Sequence, residues 1–309
     1  MRNGFLIILS IVFAQISRAQ QIPEYTQWFL HQFAVNPAHA GIKQCVDIHS
    51  LYRVQWVGVD GAPDNGFLSV SIPLQARKRK MLSARHGTGF KFETDRVGQF
   101  STNRLNAAYA AHFNFNKTDR LSLGVYGGII QTGYDPGNST TADPDPTVMQ
   151  QANFISPDAT FGAWFNSENY FVGLTLRNVF RSKWIDIGTD SRHRVHLAIN
   201  GGYRVKLNEN ITFLPSMIIR IPPRNPVSTD INLYADYKNV LGLGVGYRSG
   251  DAINAVVTFK IKEQFSISYS FDYAVTAIQS VANNTHELSL RFTTCKQDRS
   301  GSEKCPLFE

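Results

Sequence analysis

The side chains able to do chemistry are few and scattered. Asp47 and His49 stand two apart, so a strand would carry both on one face. Catalysis would need a base and a nucleophile converging at one place, whereas polar residues on one strand face are what the inside of any barrel carries. His193 and His196 are three apart, which on a strand puts them on opposite faces, a poor metal pair. Asp135, Asp143 and Asp145 stand among prolines between Tyr134 and Pro157. Carboxylates are hard ligands for calcium, but this spacing matches no ligand pattern, and a solvated loop is the plainer reading. The length of that loop makes it a candidate surface for a partner. Glycine-rich phosphate loops and metal-spaced cysteine clusters are absent from the sequence. No catalytic, cofactor-binding or metal-binding residues are therefore expected. The densest charge is the run Arg77-Lys78-Arg79-Lys80, with Arg85, Lys91 and Arg96 nearby. Such a run is either a solvated connection or a docking point for acidic protein or lipid headgroups.

The elements that must position these residues read as strands. The 309 residues are 43% hydrophobic, 12% aromatic and 18% charged, which argues against disorder. A mean hydropathy of −0.20 excludes a bundle of membrane helices but leaves a transmembrane β-barrel open, since only alternate barrel residues need be apolar. Period-2 alternation recurs from about residue 45 to 292. Ile48, Tyr52 and Val54 share one face, and Asp47, His49, Arg53 and Gln55 share the other. About fourteen such segments can be counted, and closed bacterial barrels need an even number. Their connections alternate in kind. Short polar turns at Asn116–Asp119, Asn166–Asn169, Asn208–Asn210, Lys238-Asn239 and Lys262–Gln264 are interleaved with mostly longer loops at Gly133–Pro157, Phe180–Arg192, Ile221–Ser228 and Ala274–Asn284. That asymmetry marks an outer-membrane barrel with its short turns toward the periplasm. Ser249-Gly250-Asp251 is a short turn on the other side. Tyr52, Trp56, Phe100, Phe115, Tyr134, Trp164, Tyr170, Tyr203, Tyr237, Tyr247 and Tyr273 fall near strand ends and suit two interfacial girdles, although strands favour aromatics in any case.

Met1-Arg2, the apolar run Phe5–Ala14 and Ser17-Arg18-Ala19 form a secretory signal peptide over residues 1–19. Its removal takes Arg2 and Arg18 and lowers the net charge from +7 to +5. The expected organisation is the signal peptide, an N-terminal periplasmic or plug segment over 20–44, a barrel over 45–292 and a periplasmic tail over 293–309. Residues 21–41 are apolar without alternating, and Asn36-Pro37 and Gly41 punctuate them as turns. This segment either plugs or docks against the barrel, or is a strand entry packed for stability alone. The topology puts Arg77–Lys80 in the periplasm, where nucleic acid is not a partner. Antiparallel closure brings Cys45, at the start of the first strand, near Cys295, after the last. A Cys45–Cys295 or Cys45–Cys305 staple and a local Cys295–Cys305 loop are all open in an oxidising compartment, and one thiol is left over.

Gln27 to Gly41 reads Q-W-F-L-H-Q-F-A-V-N-P-A-H-A-G. It is followed by Leu51-Tyr52-Arg53, Gln55-Trp56-Val57-Gly58 and Asp60-Gly61-Ala62-Pro63. This opening resembles the PorP/SprF family of outer-membrane proteins in the type IX secretion and gliding-motility system of Bacteroidetes. Gln27, Asn36, Pro37, Gly41, Tyr52, Arg53, Gln55 and Trp56 carry the likeness. The two-cysteine tail departs from it. The resemblance implies a non-enzymatic outer-membrane barrel without cofactor. It would assist export, or retention at the cell surface, of proteins bearing a type IX C-terminal signal domain. Its implied partners are secretion components, a secreted or surface-anchored substrate protein and outer-membrane lipid. The alternative is an outer-membrane channel for small solutes.

Overall fold

The computed structural model describes residues 22–43, 45–74, 84–116, 118–137, 151–185, 191–223, 226–261 and 264–294. The signal peptide, Arg77–Lys80, Asp143, Asp145, Cys295 and Cys305 lie outside these residues.

Among the described residues seventeen strands follow one another: β1 (Asp47–Val54), β2 (Asp64–Leu74), β3 (Arg85–Val97), β4 (Phe100–Asn114), β5 (Arg120–Tyr134), β6 (Ala152–Asn166), β7 (Tyr170–Arg177), β8 (Lys183–Ile185), β9 (Ser191–Arg192), β10 (His196–Tyr203), β11 (Val205–Lys206), β12 (Ile211–Ile221), β13 (Ser228–Tyr237), β14 (Leu241–Arg248), β15 (Ala252–Ile261), β16 (Phe265–Ala274) and β17 (Thr285–Thr293). β8 and β9 form a separate hairpin, and β11 continues β10 along β12. The rest is an antiparallel barrel of fourteen strands, each paired to its neighbours in sequence. It closes where β1 meets β17, with Asp47 opposite Thr293 and Val54 opposite His286. Closure removes the unpaired edges that backbone groups in a bilayer could not tolerate.

Alternation assigns the two faces. Outward residues such as Leu68, Phe90, Leu105, Leu123, Phe161, Leu174, Ile231, Leu243 and Leu290 are exposed and apolar, a belt suited to lipid. Inward residues such as Arg53, Glu93, Arg104, Asn106, Asn200, Asp230, Arg248, Asp272 and Glu287 are buried and polar. Tyr52, Phe115, Tyr170, Tyr203, Tyr237, Tyr247 and Tyr273 are outward and exposed, as a girdle requires. Trp164 and Tyr134 are not: both are buried, because even-numbered residues of β5 and β6 point inward. Phe100 packs on Tyr134 with ring centroids 5.1 Å apart, and Trp56 turns into the barrel mouth at a positive φ of 49°.

The loop expected over Gly133–Pro157 is shorter, because β5 runs to Tyr134 and β6 begins at Ala152. Pro157 misleads there. It lies inside β6 opposite Ile129, but β6 pairs with β7 only over Phe161–Asn166, so beyond that point the missing N–H breaks no β6–β7 ladder bond. Pro73 lies just past the last β1–β2 pair, and Pro215 faces the break between β10 and β11. Gly98-Gln99 joins β3 to β4 in two residues, a second short turn at the end with longer loops. His193 precedes β10 in irregular backbone, so it and His196 do not share a strand.

Candidate functional site: the plugged lumen

Residues 22–43 fold inside the barrel. Their backbone is turn upon turn: a 3-10 turn at Trp28–Leu30, a single α-turn at Gln32–Val35 and a second 3-10 turn at Pro37–His39. Asn36 caps that last turn by accepting the Ala38 N–H at 2.9 Å, with Pro37 at the first helical position. Gly41 closes the segment at φ +63°, a conformation costly for any residue with a Cβ.

This plug is held in two ways. Toward β16 and β17 the ties are charges. Glu287 accepts the backbone N–H groups of Thr26 at 3.0 Å and Gln27 at 2.8 Å. The Thr26 hydroxyl donates to Asp272 at 2.7 Å and accepts from Arg53 at 3.1 Å and Arg248 at 3.2 Å. Arg53 also bonds Asp272 at 2.9 Å and Glu287 at 3.2 Å. These groups are buried, where screening is weak and an uncompensated charge is expensive.

Toward β3–β6 the fit is steric. A Cβ on Gly124 would come within 2.5 Å of the Pro37 and Ala38 backbone, and one on Gly89 within 2.6 Å of the Phe33 ring. A Cβ on Gly162 would collide with Asn36, and one on Gly87 with Ala40. Four wall glycines thus hollow a bed for the N-P-A-H-A-G segment. The Asn36 amide donates across it to the carbonyls of Ala163 at 3.0 Å and Leu174 at 3.1 Å.

The ties run all round. The plug makes a hydrogen bond or ion pair with every barrel strand except β15 among the described residues. These comprise His49, Ser71, Lys91, His112, Tyr126, Ala163, Leu174, Asn200, Arg220, Ser228, Arg248, Asp272 and Glu287. From β15, Val256 joins the apolar cluster around Trp28 and Phe29 with Trp164, Phe171, Leu214 and Ile218. Burying large side chains such as Trp28, Phe29 and Phe33 contributes about 1.5–3 kcal/mol each.

Of the motif residues, Gln27, Asn36, Pro37, Gly41 and Arg53 meet in this arrangement. Gln27 bonds Ser270, the Glu287 carbonyl and Ser289. Tyr52 faces outward instead. The Gln55 and Trp56 backbones fasten the loop after β1, to the Pro63 carbonyl at 2.9 Å and the Thr285 hydroxyl at 3.1 Å. Asp47 and His49 do lie together inside: Asp47 accepts from Lys43 at 2.6 Å, from His49 Nε2 at 2.8 Å and from Arg291 at 3.0 Å. The other ring nitrogen of His49, Nδ1, shares a hydrogen bond with His31 Nδ1, 2.6 Å away. That chain of bonds is a tether for the plug. No group of three or more metal-ligating side chains occurs among the described residues, and no described helix is long and apolar enough to span a membrane.

Cys45 is disulfide-bonded and its Sγ lies 3.4 Å from the Thr293 hydroxyl, at the seam between β1 and β17. The wall glycines and the acidic partners Glu93, Asp272 and Glu287 were not singled out from sequence. The available signal was their inward parity, with glycine at alternate positions of β3.

A model of the type IX secretion system membrane protein PorP/SprF matches residues 17–292. The chain belongs to the PorP/SprF family. The match includes the Gln27–Gly41 opening and stops before the two-cysteine tail. Among solved structures, this PorP/SprF barrel is similar to the monoaromatic hydrocarbon channel CymD, at 10% identity and a TM-score of 0.54, covering 88% of this chain and 93% of that one. It is also similar to the toluene transporter TbuX of Ralstonia pickettii, at 9% identity and a TM-score of 0.52, covering 84% and 92%. At such identity the likeness is one of fold, an outer-membrane-type barrel. No curated protein sequence matches the chain.

Proposed function

We propose that this PorP/SprF barrel is a non-enzymatic scaffold of the type IX secretion system. It assists the export, or the retention at the cell surface, of proteins with a type IX C-terminal signal domain, and it does so through protein contacts. The observation that carries this reading is the plug. A lumen crossed by the chain's own N-terminal segment and tied to nearly every strand suits a fixed platform better than a solute path. The basic run Arg77–Lys80 supplies a docking point for an acidic periplasmic partner, and the disulfide at Cys45 is a staple to Cys295 or Cys305. Affinity purification from native membranes with mass spectrometry tests the reading. It predicts co-purification with a secretion component or a large exported protein, lost when the four basic residues are reversed to Glu. Isolation of the barrel alone, together with solute uptake in reconstituted vesicles, would favour a channel and overturn it.

A further inference from the structure

At the end with the longer loops, the plug stops short of the barrel mouth. A cavity of about 360 Å³ lies there between the plug and the ends of β7, β10, β12 and β14. Its body is apolar, formed by Trp28, Val35, Ala198, Ile218, Pro222 and Val227. Two guanidinium groups flank β10 and reach it from either side, Arg177 at the end of β7 and Arg220 near the end of β12.

These two arginines differ from their neighbour Arg248. Arg248 bonds through all three of its nitrogens: Nε to Asp230 at 3.2 Å, Nη1 to Asp251 at 3.1 Å and Nη2 to Thr26 at 3.2 Å. Arg177 donates only through Nη2, to Glu93 at 2.7 Å, among the described residues. Glu93 also meets Lys91 at 2.8 Å and Arg104 at 3.3 Å, so one carboxylate serves three cations. Arg220 approaches Asp230 at 3.0 Å and Glu24 at 3.6 Å through the single nitrogen Nη1, and both carboxylates are shared with Arg248. Trp28, whose ring lines the cavity, is buried, and its indole N–H has no hydrogen-bond partner among the described residues. Glu24 and Asp251 also line the chamber, but both are engaged by Arg248, so an apolar space whose three guanidinium groups outnumber its two carboxylates is suited to a carboxylate with a hydrocarbon body.

We propose that this cavity binds a small apolar carboxylate, its carboxyl group between Arg177 and Arg220 and its body over Trp28 and Ile218. At roughly 30 Å³ per heavy atom, by the volume share of a liquid water, the space holds about a dozen atoms, the size of octanoate or 3-phenylpropionate. The same chemistry could be offered by a free organic acid or by the C-terminal residues of a polypeptide. A purely apolar ligand would leave the guanidinium donors unsatisfied.

The test uses the full chain in lipid nanodiscs, titrated by calorimetry with octanoate, octanol and an apolar tripeptide bearing a free or an amidated C-terminus. Octanoate should bind at least tenfold more tightly than octanol, and the free tripeptide more tightly than its amide. Arg177→Gln and Arg220→Gln should each erase that preference. Ala198→Phe, which fills the chamber, should abolish binding while the barrel keeps its heat-modifiable mobility, the check on folding for every variant. A tripeptide that outbinds octanoate assigns the site to a chain end; the reverse assigns it to a free acid. Equal binding of octanoate and octanol, no saturable binding, or a carboxylate preference that survives either Gln variant would overturn the proposal.

Discussion

The two ends of the plug are held by different physics. Thr26 and Gln27 hang on buried charges: Arg53, Arg248, Asp272 and Glu287 converge on them from four strands. Asn36–Gly41 lies in a bed of missing side chains, with Gly87, Gly89, Gly124 and Gly162 letting backbone approach backbone. Charge ties are strong only as a complete set, since each buried partner removed leaves another uncompensated. A steric bed has no such cooperativity, but it tolerates nothing larger than hydrogen. One end should therefore fail by loss of atoms and the other by their addition.

The largest effect is expected in the charged half. Arg53→Ala leaves Asp272 and Glu287 facing each other without their shared cation and should destabilise the barrel by about 3–5 kcal/mol in urea unfolding from liposomes. The glycine bed comes next. Gly124→Ala should cost about 1–3 kcal/mol by overpacking against Pro37 and make the plug accessible to protease. Gly127→Ala, three residues along β5 with nothing within 4 Å of its Cβ position, should stay within about 0.5 kcal/mol. Equal behaviour of these two variants would dissolve the distinction between bed and wall. Asn36→Ala removes the amide bridging Ala163 and Leu174 and should cost about 1–2 kcal/mol, read as earlier plug release in the same unfolding experiment.

The smallest effect lies outside the membrane. In the turn between β4 and β5, the Asp119 carboxyl is held below the usual carboxylate range by the Ser167 hydroxyl, from the turn between β6 and β7, and then by the Asn116 amide. A depressed folded-state value means that its contribution is present above the ordinary carboxylate range and is lost as pH falls through the lower value. Ser167→Ala should move the Asp119 midpoint upward in an NMR titration and leave the plug unchanged.

Much of the barrel was legible because a strand shows its two faces in consecutive residues. Leu105, Ala107 and Tyr109 against Arg104, Asn106 and Ala108 state which way β4 faces without reference to any other part of the chain. Trp164 shows where that logic stops. An aromatic near a strand end suits a girdle, and only the parity of β6 reveals that it stacks on Phe171 inside, with ring centroids 4.8 Å apart. Pro157 reads as loop because proline is excluded from strands paired on both sides, and that β6 has no β7 partner at this point is a tertiary fact. The plug's motif was visible as punctuation, yet its partners were not. Arg53 and Asp272 are separated by 219 positions, and a glycine opposite Pro37 looks like any other glycine until the segment is laid upon it.

The lumen is filled by the chain's own N-terminal segment, and the scaffold role proposed for the barrel depends on that closure. Conductance in planar bilayers tests this most directly, comparing the full chain with a variant lacking residues 22–43. The full-length barrel should be silent, with steady ion conductance once the plug is gone. A full-length protein that conducts as well as the deletion variant would contradict it.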